Sequence, residues 1–352
     1  MPMKRMDRIQ FFEALALLDD ERLKKVLWNL YWRGSSAMRE RIEAELDPDQ
    51  GQRSKHPSKE PVDPEGVRAS VSDFAALALS GAYIAGDRRV SPRERTRWRF
   101  TFQGLVADAE RALLTDDIAA GATAVEQLID LACEMRGCDY FRSEDPIEAA
   151  RFVVSDTTAL LWSRVQGQLG FAEFAKRAAP QFVRWESRYG WTRSGMGRIR
   201  EKETSLASVL ARMLSAPDMW VQFADRYLDA LDEAARSAPS KPKHSWQPEG
   251  SNRVERTAAL AEWHLLLIER LFGSEAEDRL DRLIRHPALG GPELGFIAAH
   301  LAHRRGDLEG AHSLMHEALE KLPGHPRFLA FAMAIGAPLP PRAEQIVKER
   351  AR

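Results

Sequence analysis

The sequence predicts an all-α protein: an elongated helical-repeat array, an α-solenoid, with a tethered N-terminal helical domain. Three observations lead there. Apolar residues recur at the helical period along nearly the whole chain, whereas strand-like alternation of β-branched residues never persists. Ser91-Pro92-Arg93-Glu94 combines a capping serine, a proline at the first helical position and a glutamate at the third. Residues 306–323, GDLEGAHSLMHEALEKLP, read as the second half of a helix-turn-helix unit, which cannot bury its apolar face without stacked neighbours.

At 352 residues the chain is too long for one small core, so subdomains or an extended array are expected. A hydrophobic content of 44% with 29% charged residues suits a folded soluble chain. A net charge of −1 provides no global attraction to nucleic acid or an acidic membrane, so such a role requires a local patch. Cys133 and Cys138 are too few for a disulfide framework, and their spacing without further ligands is a poor zinc pattern. Acidic residues interrupt the apolar run near the start, no small-residue cleavage site follows, and no apolar run reaches the ~20 residues of a membrane span. A cytoplasmic chain with no cofactor and no metal is the expectation.

Residues 1–46 read as a three-helix segment. Ile9, Phe12, Leu15 and Leu18 mark the first helix and Leu23, Val26, Leu27 and Leu30 the second; Met38, Ile42 and Leu46 follow the Gly34 break. Residues 47–66 hold four prolines and almost nothing apolar, and read as a flexible linker. A central helical domain is expected over 67–236, with helices at 92–114, from 116, and at 145–168, 171–189, 203–214 and 217–236. Residues 237–252 read as a second linker. Residues 253–352 read as C-terminal hairpins, with helices at 254–272, 275–285, 292–305, 307–322 and 326–335 and a short tail helix after Pro341. In the 306–323 unit Gly306-Asp307 breaks one helix and caps the next, Leu308, Ala311, Met315, Ala318 and Leu319 keep the helical period, and Pro323 closes it. Ile118, Gly121, Val125, Leu128 and Ile129 repeat that spacing.

Gly306, Ala311, Ala318 and Pro323 match the second helix of a tetratricopeptide repeat, and residues 292–325 resemble that family, over about a tenth of the chain. The first helix departs from the pattern: Gly295 and Ala302 stand where large aromatics are usual, with Phe296 beside them. The resemblance implies a concave surface that binds peptides, with Glu293, Phe296, His300, His303 and Arg304 as its groove-facing, partner-binding residues.

Six of the nine histidines fall between 286 and 325. His300/His303 and His312/His316 have metal-ligand spacing, but the pairs lie on different helices and ordinary packing explains them better. Segment 176–202 carries eight basic residues against Glu186 and Glu201, interleaved with Phe182, Trp185, Tyr189 and Trp191. Arginine beside tryptophan and tyrosine is a composition that stacks bases and holds phosphates, so Arg184, Trp185, Arg188, Tyr189, Trp191, Arg193 and Arg198 form an alternative anion- or nucleic-acid-binding set. Aromatics three and four residues apart equally suit one buried helix face. No phosphate loop, nucleophile elbow, kinase set or deaminase zinc motif occurs. The expected function is a non-catalytic adaptor or regulatory subunit binding another protein through a groove. Nucleic-acid binding comes second, a helical enzyme or small-ligand receptor third, and self-association of exposed helix faces is compatible with the first.

Overall fold

The computed structural model describes residues 18–34, 42, 62–84, 87–116, 118–135, 139–143, 145–189, 197–236 and 251–350, and among them every regular element is a helix. In chain order these are α1 (Asp20–Arg33), α2 (Pro64–Leu79), α3 (Pro92–Ala112), α4 (Ile118–Glu134), α5 (Pro146–Ala150), α6 (Val154–Tyr189), α7 (Arg198–Lys202), α8 (Leu206–Met213), α9 (Pro217–Arg236), α10 (Ser251–Leu271), α11 (Asp278–Ile284), α12 (Pro292–Arg304), α13 (Leu308–Lys321), α14 (Pro326–Ala334) and α15 (Pro341–Arg350). No helix of the described residues is long and apolar enough to cross a membrane.

The helix starts follow local rules. Ser91 and Glu94 close a reciprocal capping box on α3, with Ser91 N donating to the glutamate and Glu94 N donating to the serine hydroxyl. Asp307 caps α13 by accepting from Gly310 N at 2.9 Å, after Gly306 turns the chain at φ +81°. The α6 helix kinks at Gly170, where φ is +80°, matching the predicted break between 168 and 171. Two boundaries are corrected, one being the end of the 237–252 linker, which yields to α10 at Ser251. The linker expected to run to residue 66 yields to α2 at Pro64, because proline at the first helical turn starts a helix rather than excluding one. The first and third helices expected before residue 46 lie outside the described residues, apart from Leu18 and Ile42.

Helix ends are also held from far along the chain. The Glu203 carboxylate accepts from Val154 N and Ser155 N, capping α6, and Glu148 accepts from Arg198 N and Ile199 N, capping α7. A carboxylate at a helix N-terminus satisfies orphan donors and opposes the helix dipole.

The buried residues form one continuous core with three aromatic concentrations. Helices α2, α3 and α4 enclose Phe74, Trp98 and Phe102 with Tyr83 and Phe141 from the loops, Trp98 and Phe141 stacking at 4.1 Å. Helices α6, α9 and α10 enclose Phe182, Trp220, Phe223, Tyr227 and Trp263. Helices α12 and α14 meet through Phe296 and Phe328, stacked at 4.8 Å. The core therefore runs through α10 and does not stop at the 237–252 break.

Two hairpins pack through small residues. A Cβ at Gly295 would lie 3.8 Å from Ala318 Cβ, so α12 and α13 approach closely. In α4, a Cβ at Gly121 would sit 2.7 Å from Leu113 N and 2.8 Å from Ala112 C, which is backbone and cannot rotate away. Ala311, Met315, Ala318 and Leu319 are buried as their period requires, but Leu308 is 51% exposed, because it opens the first turn and points off the hairpin. Replacing Gly121 with alanine is expected to cost about 1–3 kcal/mol by overpacking the α3–α4 hairpin. Urea unfolding monitored by circular dichroism measures it, and an unchanged midpoint would contradict this contact.

Candidate functional site

The face shared by α12 and α14 is built from two proline-started helices, each with Pro at its first position. Of the five residues predicted to line a groove, Phe296 is only 3% exposed and lies beneath the face, against Phe328 and edge-on to Phe331. Its expected role as a contact residue is corrected: the helix after the repeat-like hairpin covers it and makes it core. His300 is half-buried and stacks flat on Phe331, centroids 3.5 Å apart at 14°. His303 meets the same ring edge-on and is exposed. Arg304 is exposed, with its guanidinium 6.0 Å from the Phe272 ring on the side facing α10. Glu293 is half-buried one turn before Phe296. The sequence reading missed the contribution of α14, Arg327 and Phe331, which share its exposed side four residues apart. The available signal was the repeat rule itself, which lays the first helix of the next hairpin alongside α12.

Burial lowers the His300 pKa to about 4, with the Arg327, His303 and Arg304 charges acting in the same direction. Burial also lowers His325, with Arg327 assisting, and raises Glu293. Three buried atoms here have no hydrogen-bond partner: Glu293 Oε2, His300 Nε2 and His325 Nδ1. Among the described residues Arg304 and Arg327 have no carboxylate within salt-bridge reach, Arg327 lying 5.9 Å from the Phe296 ring.

On the neighbouring α9–α11 side three arginines are paired. Arg279 binds Asp225, Arg282 binds Asp232, and Arg305 spans Glu277 and Asp281. A cavity of about 390 Å³ there is lined by Asp232, Asp278, Asp281, Arg282, Arg285 and His286. His286 is buried, accepts from Ala288 N on Nδ1 and directs Nε2 to Asp232 at 3.0 Å. Both ring nitrogens are occupied, which leaves none to act as a base. Burial holds the His286 pKa below its usual value. Among the described residues no group of three or more His, Cys, Asp or Glu is arranged to hold a metal ion. His312 and His316 turn to the carbonyls of Ile335 and Pro338, tying α13 to the chain after α14.

The basic-aromatic segment is dismantled as a stacking platform. Trp185 is fully buried, its Nε1 donating to Asp130, so it is not accessible to a base. Arg184 pairs with the same carboxylate at 2.8 Å. Arg188 and Tyr189 close α6, and Arg198 opens α7 as an exposed residue. Trp191 and Arg193 lie outside the described residues.

A second buried pair, Tyr227 Oη and His264 Nε2, is 2.6 Å apart. Burial raises Tyr227 well above its ordinary value, so the phenol stays protonated and donates. His264 is pushed down to about 3, chiefly by burial and secondarily by His286. Both side chains are fully enclosed, so the pair packs rather than reacts. Comparison with models of known families, with curated proteins and with solved structures finds no match to this chain.

Two outcomes follow from these burials. Phe296→Ala is expected to cost about 3–5 kcal/mol of stability in denaturant unfolding, the cost of emptying an aromatic core site, where a pure contact residue would cost almost nothing. The unfolded chain protonates His264 near pH 6.5 and the folded chain only near 3. Its contribution is therefore complete above pH 6.5 and lost as pH falls toward 3. Melting temperature against pH should fall less steeply for His264→Gln than for the parent, and parallel curves would exclude His264 as the source.

Proposed function

We propose that the chain is a non-catalytic helical adaptor or regulatory subunit that holds another protein on the α12–α14 face. In this reading α10 to α15 form stacked hairpins of the solenoid kind, and the face lies toward the end of the array. The observations that carry it are local: His300 stacks on Phe331 with His303 edge-on to the same ring, Glu293, His300 and His325 each keep a buried polar atom without a hydrogen-bond partner, and Arg304 and Arg327 form no salt bridge among the described residues. Buried polar groups are otherwise nearly always satisfied within the fold, and their exceptions gather at functional positions. Aromatic rings beside arginine form the residue mixture that protein interfaces favour. The buried histidine pairs offer no free base beside a reactant site, which removes the chemical support for an enzyme among the described residues. Nucleic-acid binding through segment 176–202 loses its central aromatic, Trp185, and receives no comparable support.

The test uses His303→Ala combined with Arg304→Ala, both exposed. Affinity capture from the native cell with the parent chain should retain a specific protein, and the double variant should lose most of it at an unchanged melting temperature. Equal capture by both chains would remove the α12–α14 face as the binding surface.

A further inference from the structure

We propose that the α12–α14 face takes an acidic protein segment, with side-chain carboxylates seated on Arg304, Arg327 and His303 and apolar side chains laid against Phe331. This rests on the partner-binding reading above and adds the chemistry of the partner.

The argument begins with a contrast within one region. Arg279, Arg282 and Arg305 each find a carboxylate of this chain, so the fold has acids available and uses them. Arg305 is the immediate neighbour of Arg304, yet only Arg305 is paired. Arg304 and Arg327 lie instead near ring faces, at 6.0 and 5.9 Å, which leaves their outward N–H groups unused. Both charges act on His300, in the same direction as its burial. The imidazole is already stacked on Phe331, so its orientation is fixed before any ligand arrives.

The nearby acid does not compensate this charge. Glu293 is half-buried, and loss of solvent favours its neutral form. Along α14 Arg327, Ala330 and Ala334 are exposed and Phe331 on the same line is half-buried, so two small residues leave room beside the ring. His300 Nε2 and His325 Nδ1 are buried without hydrogen-bond partners. The arrangement asks for anions that can accept several N–H bonds at once and for an apolar stem between them. Glutamate on a helical segment supplies both.

The experiment measures fluorescence anisotropy of three labelled peptides against the full chain: a helical peptide of Leu, Ala and Glu, its Gln counterpart and its Lys counterpart. Labelled oligothymidylate is run alongside. The acidic peptide is expected to bind about tenfold or more tighter than the Gln peptide, and to weaken as salt rises from ~50 to ~500 mM. Arg304→Ala with Arg327→Ala should erase that preference at an unchanged melting temperature. Arg342→Ala, which removes the same charge from α15, should leave it within about twofold. If the Gln or Lys peptide binds the face as well as the Glu peptide, the acidic partner is wrong while the docking surface stands. If oligothymidylate binds the same face more tightly, the ligand is phosphate and the proposal falls. If no probe binds, the docking surface falls with it.

Discussion

Trp263 is the packing constraint on which the two halves of this fold depend. Its fully buried indole contacts Phe182 of α6 and Trp220, Phe223 and Tyr227 of α9. Helix α10 carries it, and α10 in turn packs on α12. The C-terminal hairpins are thus registered against the central helices by one large side chain inserted from the helix between them. Such aromatic insertions bury much apolar surface while fixing ring geometry, so position and stability are set together. The indole Nε1 has no hydrogen-bond partner, a cost that the surrounding packing outweighs.

Around that core, carboxylates act mainly as long-range connectors. Glu203 reaches back to the start of α6, Glu186 accepts from Leu206 N at the start of α8, and Asp130 receives both Arg184 and Trp185. Each joins elements separated by twenty residues or more. Glu186 is wholly buried, which makes its hydrogen bonds obligatory and its removal more disruptive than loss of a surface ion pair. The basic residues of segment 176–202 are partly explained by the same logic: Arg184 answers an acid on α4 and needs no external polyanion.

Most of the helix inventory was legible in the sequence, because caps and breakers act locally. The Ser91 box, the Gly170 kink and the Gly306-Asp307 turn all appear where residue chemistry places them. Pro64 was misread because proline both ends linkers and begins helices, and composition alone does not distinguish the two uses. The site was legible only in part. His300 and His303 both meet the Phe331 ring, whereas Arg304 lies by Phe272, and periodicity could not show that α14 lies across Phe296. Burial of Trp185 was equally invisible, since a helix face rich in aromatics looks the same whether a neighbouring helix or a ligand covers it.

The difference between Arg304 and Arg305 shows how sharply a helix end can divide structure from function. Successive residues on a helix point about 100° apart, so the two guanidinium groups serve different neighbours. Arg305 turns to α11 and locks against Glu277 and Asp281; Arg304 turns toward Phe272 and meets no acid. A cation beside an aromatic ring keeps part of its favourable interaction while leaving its N–H donors open, whereas a doubly paired arginine has spent them. The histidines also differ: His286 has both nitrogens engaged, while His300 is stacked and its buried Nε2 has no hydrogen-bond partner. One side of the C-terminal helices is thus internally neutralised, and the other keeps donors held in place by rings. Pre-positioned, unsatisfied donors lower the ordering cost of binding, which is the physical reason for proposing the α12–α14 side as the docking surface.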